Sequence, residues 1–184
     1  MELKINIFYL DESPYVSANM CVDKHVVKMI LESAQLLSTT HRILDGREVA
    51  GKSKTGRNVK RWVLDDDREN ILYSATHINH PCSIWLRQSI PNYMWLVKHM
   101  DGLIEEYKYR YGKTHKVYSS GLATALESVP HNLKSSTWTI PPSAMAKEYI
   151  ISDDPVKNYR NYYMNGKKHL HRWSKRQIPT WMPM

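Results

Sequence analysis

From Val22 to Leu37 the apolar positions recur at the helical period. At 100° per residue, Val22, Val26, Val27, Met29, Ile30, Ala34, Leu36 and Leu37 fill one broad face, and Lys24, His25, Lys28, Glu32, Gln35 and Thr39 fill the other. This pattern predicts an amphipathic helix. Asp23 falls on its apolar side, where it caps the helix start or pairs internally. Pro91 to Tyr111 repeats the period with Tyr93, Leu96, Val97, Met100, Leu103, Ile104 and Tyr107, and Gly112 is the stop signal. Further helices are expected over 65–76, opened by acids that suit a helix N-terminus, after Asn79-His80-Pro81, over 121–129, and from Asp154-Pro155 to about Lys168, with Asp153 or Asp154 as cap. Ile5 to Leu10 is a short apolar run, one strand or an extended arm, and 130–142 is a predicted loop. The expected fold class is mostly α: a single compact helical domain over 1–184 with little or no sheet.

With 184 residues, 42% of them hydrophobic, the chain can bury one core without staples. Cys21 and Cys82 therefore read as buried thiols rather than a disulfide. The absence of an 18-residue apolar run and of a charged-then-apolar start leads to the expectation of a cytoplasmic protein with no membrane contact. The chain has no Gly-rich phosphate loop, nucleophile elbow or CxxC, which excludes kinases, α/β-type hydrolases and zinc deaminases. His77, His80 and Cys82 fall short of a recognised zinc spacing, so neither metal nor cofactor is expected, and Asn79 and His80 are read as capping the turn before Pro81.

Charge narrows the picture. Lys plus Arg number 26 against 18 Asp plus Glu, a net +8. Residues 1–50 hold 5 basic and 7 acidic side chains, whereas 151–184 hold 7 and 2. In the latter, Lys157, Arg160, Lys167, Lys168, Arg172, Lys175 and Arg176 alternate with Tyr159, Tyr162, Tyr163, Trp173 and Trp181. Cations that neutralise phosphates, set among rings that stack on bases, suit a nucleic acid or nucleotide partner; a solvated basic face is the plainer alternative. Gly51 to Arg61 carries five basic residues and no acid, and is expected to be a flexible loop serving solubility or phosphate contact.

On the first helix, His25, Lys28 and Glu32 stand at i, i+3 and i+7 with Lys24 alongside, a workable acid–base group. A surface Lys28–Glu32 ion pair is the plainer reading. Further candidates for binding substrate are His41 and Arg42 just past this helix, His80, Trp85 and Arg87, then Tyr109, Arg110 and Lys113 at the end of the second long helix, and Arg160.

Cys21 to Met29 with Glu32, Gln35 and Leu36, together with Asn79-His80-Pro81-Cys82, Trp85, Arg87, Asn92-Tyr93, Trp95-Leu96, Tyr109 to Lys113, His115 and Tyr159 to Tyr163, is similar to a group of small phage-encoded proteins. More distantly, through Ile5-Asn6, Met20 to Met29, the helix following His80 and Pro179-Thr180-Trp181, the chain resembles the phage pyrimidine dimer DNA glycosylases. That resemblance implies a compact helical domain that cuts the bond between base and sugar. In those enzymes an N-terminal amine is the nucleophile, and an Arg-Glu pair with a further Arg occupies the first long helix. Here the pair falls at Lys24 and His25 and the later arginine at Lys28, so the glutamate position has no carboxylate, although Glu32 follows two turns on. Met1 precedes the large Glu2, so the small amine-bearing residue is also missing, which disfavours Schiff-base strand cleavage and leaves hydrolysis.

The chemistry then expected is direct. Glu32 stabilises the sugar cation or activates water, His25 or Lys24 protonates the departing base, Lys28 and Arg110 hold a phosphate, and a Trp or Tyr stacks on the base. The substrate is DNA or a small, cyclic oligonucleotide immune signal in the cytoplasm of an infected host. The alternative is a non-catalytic protein that sequesters a nucleotide or binds DNA against host defence; a protein-interaction module anchored by its tyrosines is the third reading. Oligomeric state is left open, a homodimer included.

Overall fold

The computed structural model describes residues 5–53 and 55–183. Its elements are α1 (Pro14–Asn19), α2 (Asp23–Asp45), β1 (Arg47–Lys52), β2 (Asn58–Val63), α3 (Arg68–Ile71), α4 (Pro81–Leu86), α5 (Ile90–Tyr111), α6 (Lys116–Ser119), α7 (Leu122–Leu126) and α8 (Pro155–Gly166), with single 3₁₀ turns at Lys147–Tyr149 and Lys168–Leu170. Helix predominates, as expected, beside one small antiparallel sheet of two strands. No helix among the described residues is long and apolar enough to cross a membrane.

α5 starts one residue before its predicted Pro91 and stops where predicted, because Gly112 adopts φ +66°, a left-handed C-cap that a side chain would strain. It packs on α1 and α2. Gly102 permits the approach of α1, since a Cβ there would lie 2.9 Å from the Ala18 Cβ. α8 opens as expected, with Asp154 accepting from the Val156 N–H at 2.8 Å and Pro155 in the first turn.

α2 runs eight residues past Leu37, so His41 and Arg42 lie within it rather than beyond its end. The apolar period hides this extension because the buried residues there are polar and satisfy themselves. The Thr39 and Thr40 hydroxyls donate to the carbonyls of Gln35 and Leu36 at 2.8 and 3.0 Å. The predicted helix over 65–76 shrinks to the single turn of α3. Its remainder is held extended by Arg42, whose guanidinium collects the carbonyls of Tyr73, Trp62, Glu69 and Leu72 and the Glu69 carboxylate.

The expected flexible loop over 51–61 is instead the end of a hairpin. Arg47 pairs with Val63 and Lys52 with Asn58 across β1 and β2. Lys54 of that segment lies outside the described residues. Ile5 to Leu10 is a buried arm, not a strand. Cys21 and Cys82 are buried free thiols, as read from the sequence. Tyr93, Tyr159 and Tyr163 are fully buried core residues, so two of the late rings assigned to base stacking are structural instead. Each hydroxyl has an acceptor or a donor in the interior, as where Tyr93 donates to the Leu126 carbonyl at 2.8 Å.

Candidate functional site

The first turns of α2 face the chain segment that follows α8, and Asp23 joins the two. Its N–H donates to the Arg172 carbonyl at 2.8 Å, and its carboxylate accepts from the Ser174 N–H and hydroxyl at 2.9 and 2.6 Å. Beneath it, Arg110 donates to Asp23 at 3.0 Å. Burial by itself would raise the Asp23 carboxyl, but the Ser174 and Arg110 hydrogen bonds outweigh it and hold the group below its ordinary value. The internal pairing expected for Asp23 is therefore observed.

Above this floor opens a cleft of about 730 Å³, lined by Lys24, Val27 and Lys28 from α2, Tyr111 from α5, and His169, Leu170, His171, Arg172 and Ser174. Lys24, Lys28, His169 and Arg172 are exposed, while the cleft's one acid, Asp23, is already paired by Arg110 and Arg172. A concave surface with a surplus of cations and a helix N-terminus on its rim attracts phosphate.

Glu32 lies behind this wall. Its side chain is 7% exposed, and one oxygen pairs at 3.0 Å with Lys28, itself 62% exposed. The other accepts from the Asn6 N–H at 3.1 Å. Desolvation raises the Glu32 carboxyl above its usual value, and Lys28 with the Asn6 amide only partly offsets this. Glu32 is thus not on a solvated face, and neither is His25. The His25 ring stacks on Phe8 at 4.0 Å, and Nδ1 meets the Tyr163 hydroxyl at 2.5 Å. Phe8 reaches that position at φ 43°, a left-handed backbone held by Asn6 Oδ1, which accepts from both Ile7 and Phe8 N–H. Burial, reinforced by Lys167, Lys28 and His169, pushes His25 down to about 3. Buried against Phe8 and Tyr163, His25 does not line the cleft, which speaks against its expected role as the proton donor to a departing base. Met1, whose amine the resemblance concerns, lies outside the described residues.

The other residues predicted to touch substrate divide sharply. Arg42 spends all five donors internally. His41 sits between the Tyr93 hydroxyl at 2.8 Å and Arg68 at 2.9 Å. Arg110 is sealed between Glu106, Asp23 and the carbonyls of Cys21 and Asn19. Trp85 is core, donating to the Thr139 carbonyl. His80 is buried and caps α4 through the Cys82 N–H, matching the capping role read for it but not substrate contact. Arg87 holds Ser83 and the Ile78 carbonyl, and Arg160 holds Asp11 and the Leu10 carbonyl beside Trp181. Tyr109 is exposed but stacked by Arg176 at 4.3 Å, and Lys113 is exposed beyond α5. Of the predicted residues, the structure brings Lys24 and Lys28 together in the cleft, with Glu32 behind. Sequence reasoning missed His169, His171 and Ser174 there, although Arg172 stood in the basic stretch already singled out.

The chain matches no family model, no curated protein and no solved structure among those with which it was compared.

Proposed function

We propose that the cleft binds a phosphate-bearing nucleic-acid derivative and that Glu32 hydrolyses its base–sugar bond. The observation that carries this reading is the double role of Lys28, which lines the cationic cleft and pairs with the buried carboxylate. A phosphate entering the cleft draws the Lys28 ammonium toward itself, which removes a counter-charge from Glu32 and makes the carboxylate more basic. The glycosidic electron pair leaves with the base, the sugar carbon becomes an oxocarbenium ion, and water adds to it. The water's proton passes to Glu32, and the departing base takes one from solvent while Lys24 balances its charge. A second reading, sequestration without turnover, is supported by the two partners that already occupy Glu32.

Chromatography for free base, after incubation with oligonucleotides, nucleoside phosphates and cyclic dinucleotides, tests the proposal. Wild type is expected to release base from one class. Glu32→Gln is expected to be slower by about 100-fold or more with nearly unchanged affinity. Tight binding with substrate recovered intact favours sequestration, and full activity in Glu32→Gln contradicts the mechanism.

A further inference from the structure

Positive charge is most concentrated away from the cleft. Residues 47–63 hold six basic side chains and one acid, a net +5 of the chain's +8. Apart from Lys54, which lies outside the described residues, they belong to the β1–β2 hairpin, and neither face of it is buried: Arg47, Lys52, Arg57, Lys60 and Arg61 are exposed, and Val49, Val59, Trp62 and Val63 only half-buried. A two-stranded ribbon with neither face fully covered has little stability of its own, yet its root is firmly fixed. Arg42 donates to the Trp62 carbonyl at 2.9 Å, and the Leu64 N–H donates to Glu69 at 2.8 Å, with Arg42 and Glu69 paired. The hairpin is an anchored cationic arm.

We infer that this arm grips the phosphate backbone of duplex DNA while the cleft engages the same molecule, an inference that rests on the nucleic-acid reading of the cleft. Three physical points select this partner. First, the arm's root and the cleft lie toward opposite ends of α2. From Lys28 to Arg42 the helix rises roughly 21 Å at 1.5 Å per residue, far beyond one nucleotide but about six base pairs of a duplex. Second, a single-strand binder needs exposed rings, and the arm's one aromatic, Trp62, is half-buried at its root. Third, a two-stranded ribbon fits the major groove of B-form DNA, whereas the deep, narrow major groove of duplex RNA excludes it.

Fluorescence anisotropy with a 20-base-pair probe (about three times the span above) tests this. The comparison uses wild type, the triple variant Lys52→Gln, Arg57→Gln, Lys60→Gln, and the cleft variant Lys24→Gln, Lys28→Gln, each checked by circular dichroism. The triple variant is expected to lose at least about tenfold in duplex affinity. Its log K against log salt should flatten by about one for each phosphate that is no longer neutralised, and its affinity for a nucleoside 5′-phosphate should not change. Unchanged duplex affinity, an equal loss for the small nucleotide, or tighter wild-type binding to single strands or duplex RNA overturns the inference. If the cleft variant alone leaves duplex and nucleotide binding intact, the cleft reading fails and the arm stands.

Discussion

Arg110→Met is expected to lower the melting temperature by about 10 °C. The Arg110 side chain is 0% exposed and neutralises two carboxylates at once, Glu106 at 2.8 Å and Asp23 at 3.0 Å. Methionine keeps much of the volume but leaves both acids in a poorly solvated interior. Arg176 remains on Glu106 and Ser174 on Asp23, yet the carbonyls of Cys21 and Asn19 also lose their donor. Breaking a buried pair from one side costs about 3–5 kcal/mol, and a chain of this size loses about 2–4 °C per kcal/mol. Scanning fluorimetry or circular dichroism reads the shift. Arg172→Gln removes the exposed partner of the same aspartate and is expected to shift the melt by no more than about 2 °C. Equal shifts for the two variants would contradict the assignment of Arg110 as the centre of the network.

Mild acid is expected to unfold the protein, with a midpoint between about pH 4 and 6. The three most strongly shifted of the buried histidines set this window. Burial lowers His25 and His99 to about 3 and His41 to about 4, from the ordinary 6.5. Their folded-state values lie below the unfolded one, so the stability they contribute is complete above about pH 6.5 and is lost as the pH falls toward the folded values, because the unfolded chain binds the protons first. Each such histidine costs roughly 1.4 kcal/mol per pH unit inside its window, so three together offset a stability of about 5–10 kcal/mol within about one to two and a half units below 6.5. Asp23 and Asp45, held below their ordinary values against the opposing effect of burial, extend the loss at lower pH. His99 offers the control. Its ring stacks on Trp95 at 4.9 Å, and neither nitrogen has a partner among the described residues. His99→Phe is expected to move the midpoint to lower pH. Native ellipticity retained at pH 3.5 in wild type would contradict this account.

What the sequence made legible follows from which signals are local. The end of α5 depended on a helical period running into Gly112, and the start of α8 on Asp154 beside Pro155; both signals lie within a few residues of the feature they specify. The second half of α2 was hidden because its buried residues, Ser38 to Arg42, are polar and are satisfied by partners such as Tyr93 and Tyr73. The same cause misplaced His25 and Glu32. A helix wheel assigns faces by polarity, but α2 packs on α4, α5 and α7 and also touches the 5–10 arm and α8, so its buried arc is wider than its apolar arc. Arg110 has the sequence appearance of any cation in a last helical turn; only Asp23 and Glu106 beside it reveal a buried junction. The hairpin was obscured because its strands carry charge on both faces and bury neither, which removes the alternation that announces a strand. Half of the cleft was legible, in Lys24, Lys28 and the basic stretch near the C-terminal end. Their meeting depends on Asp23 binding Ser174 and the Arg172 carbonyl, a long-range junction that no local pattern encodes.

The most direct test of the cleft is an amide chemical-shift titration of the wild-type protein with a nucleoside 5′-phosphate. The account predicts that shifts concentrate at residues 23–28 and 169–174, saturate, and disappear in the Lys24→Gln, Lys28→Gln variant. Saturating shifts elsewhere, or the same shifts in the variant, would contradict it.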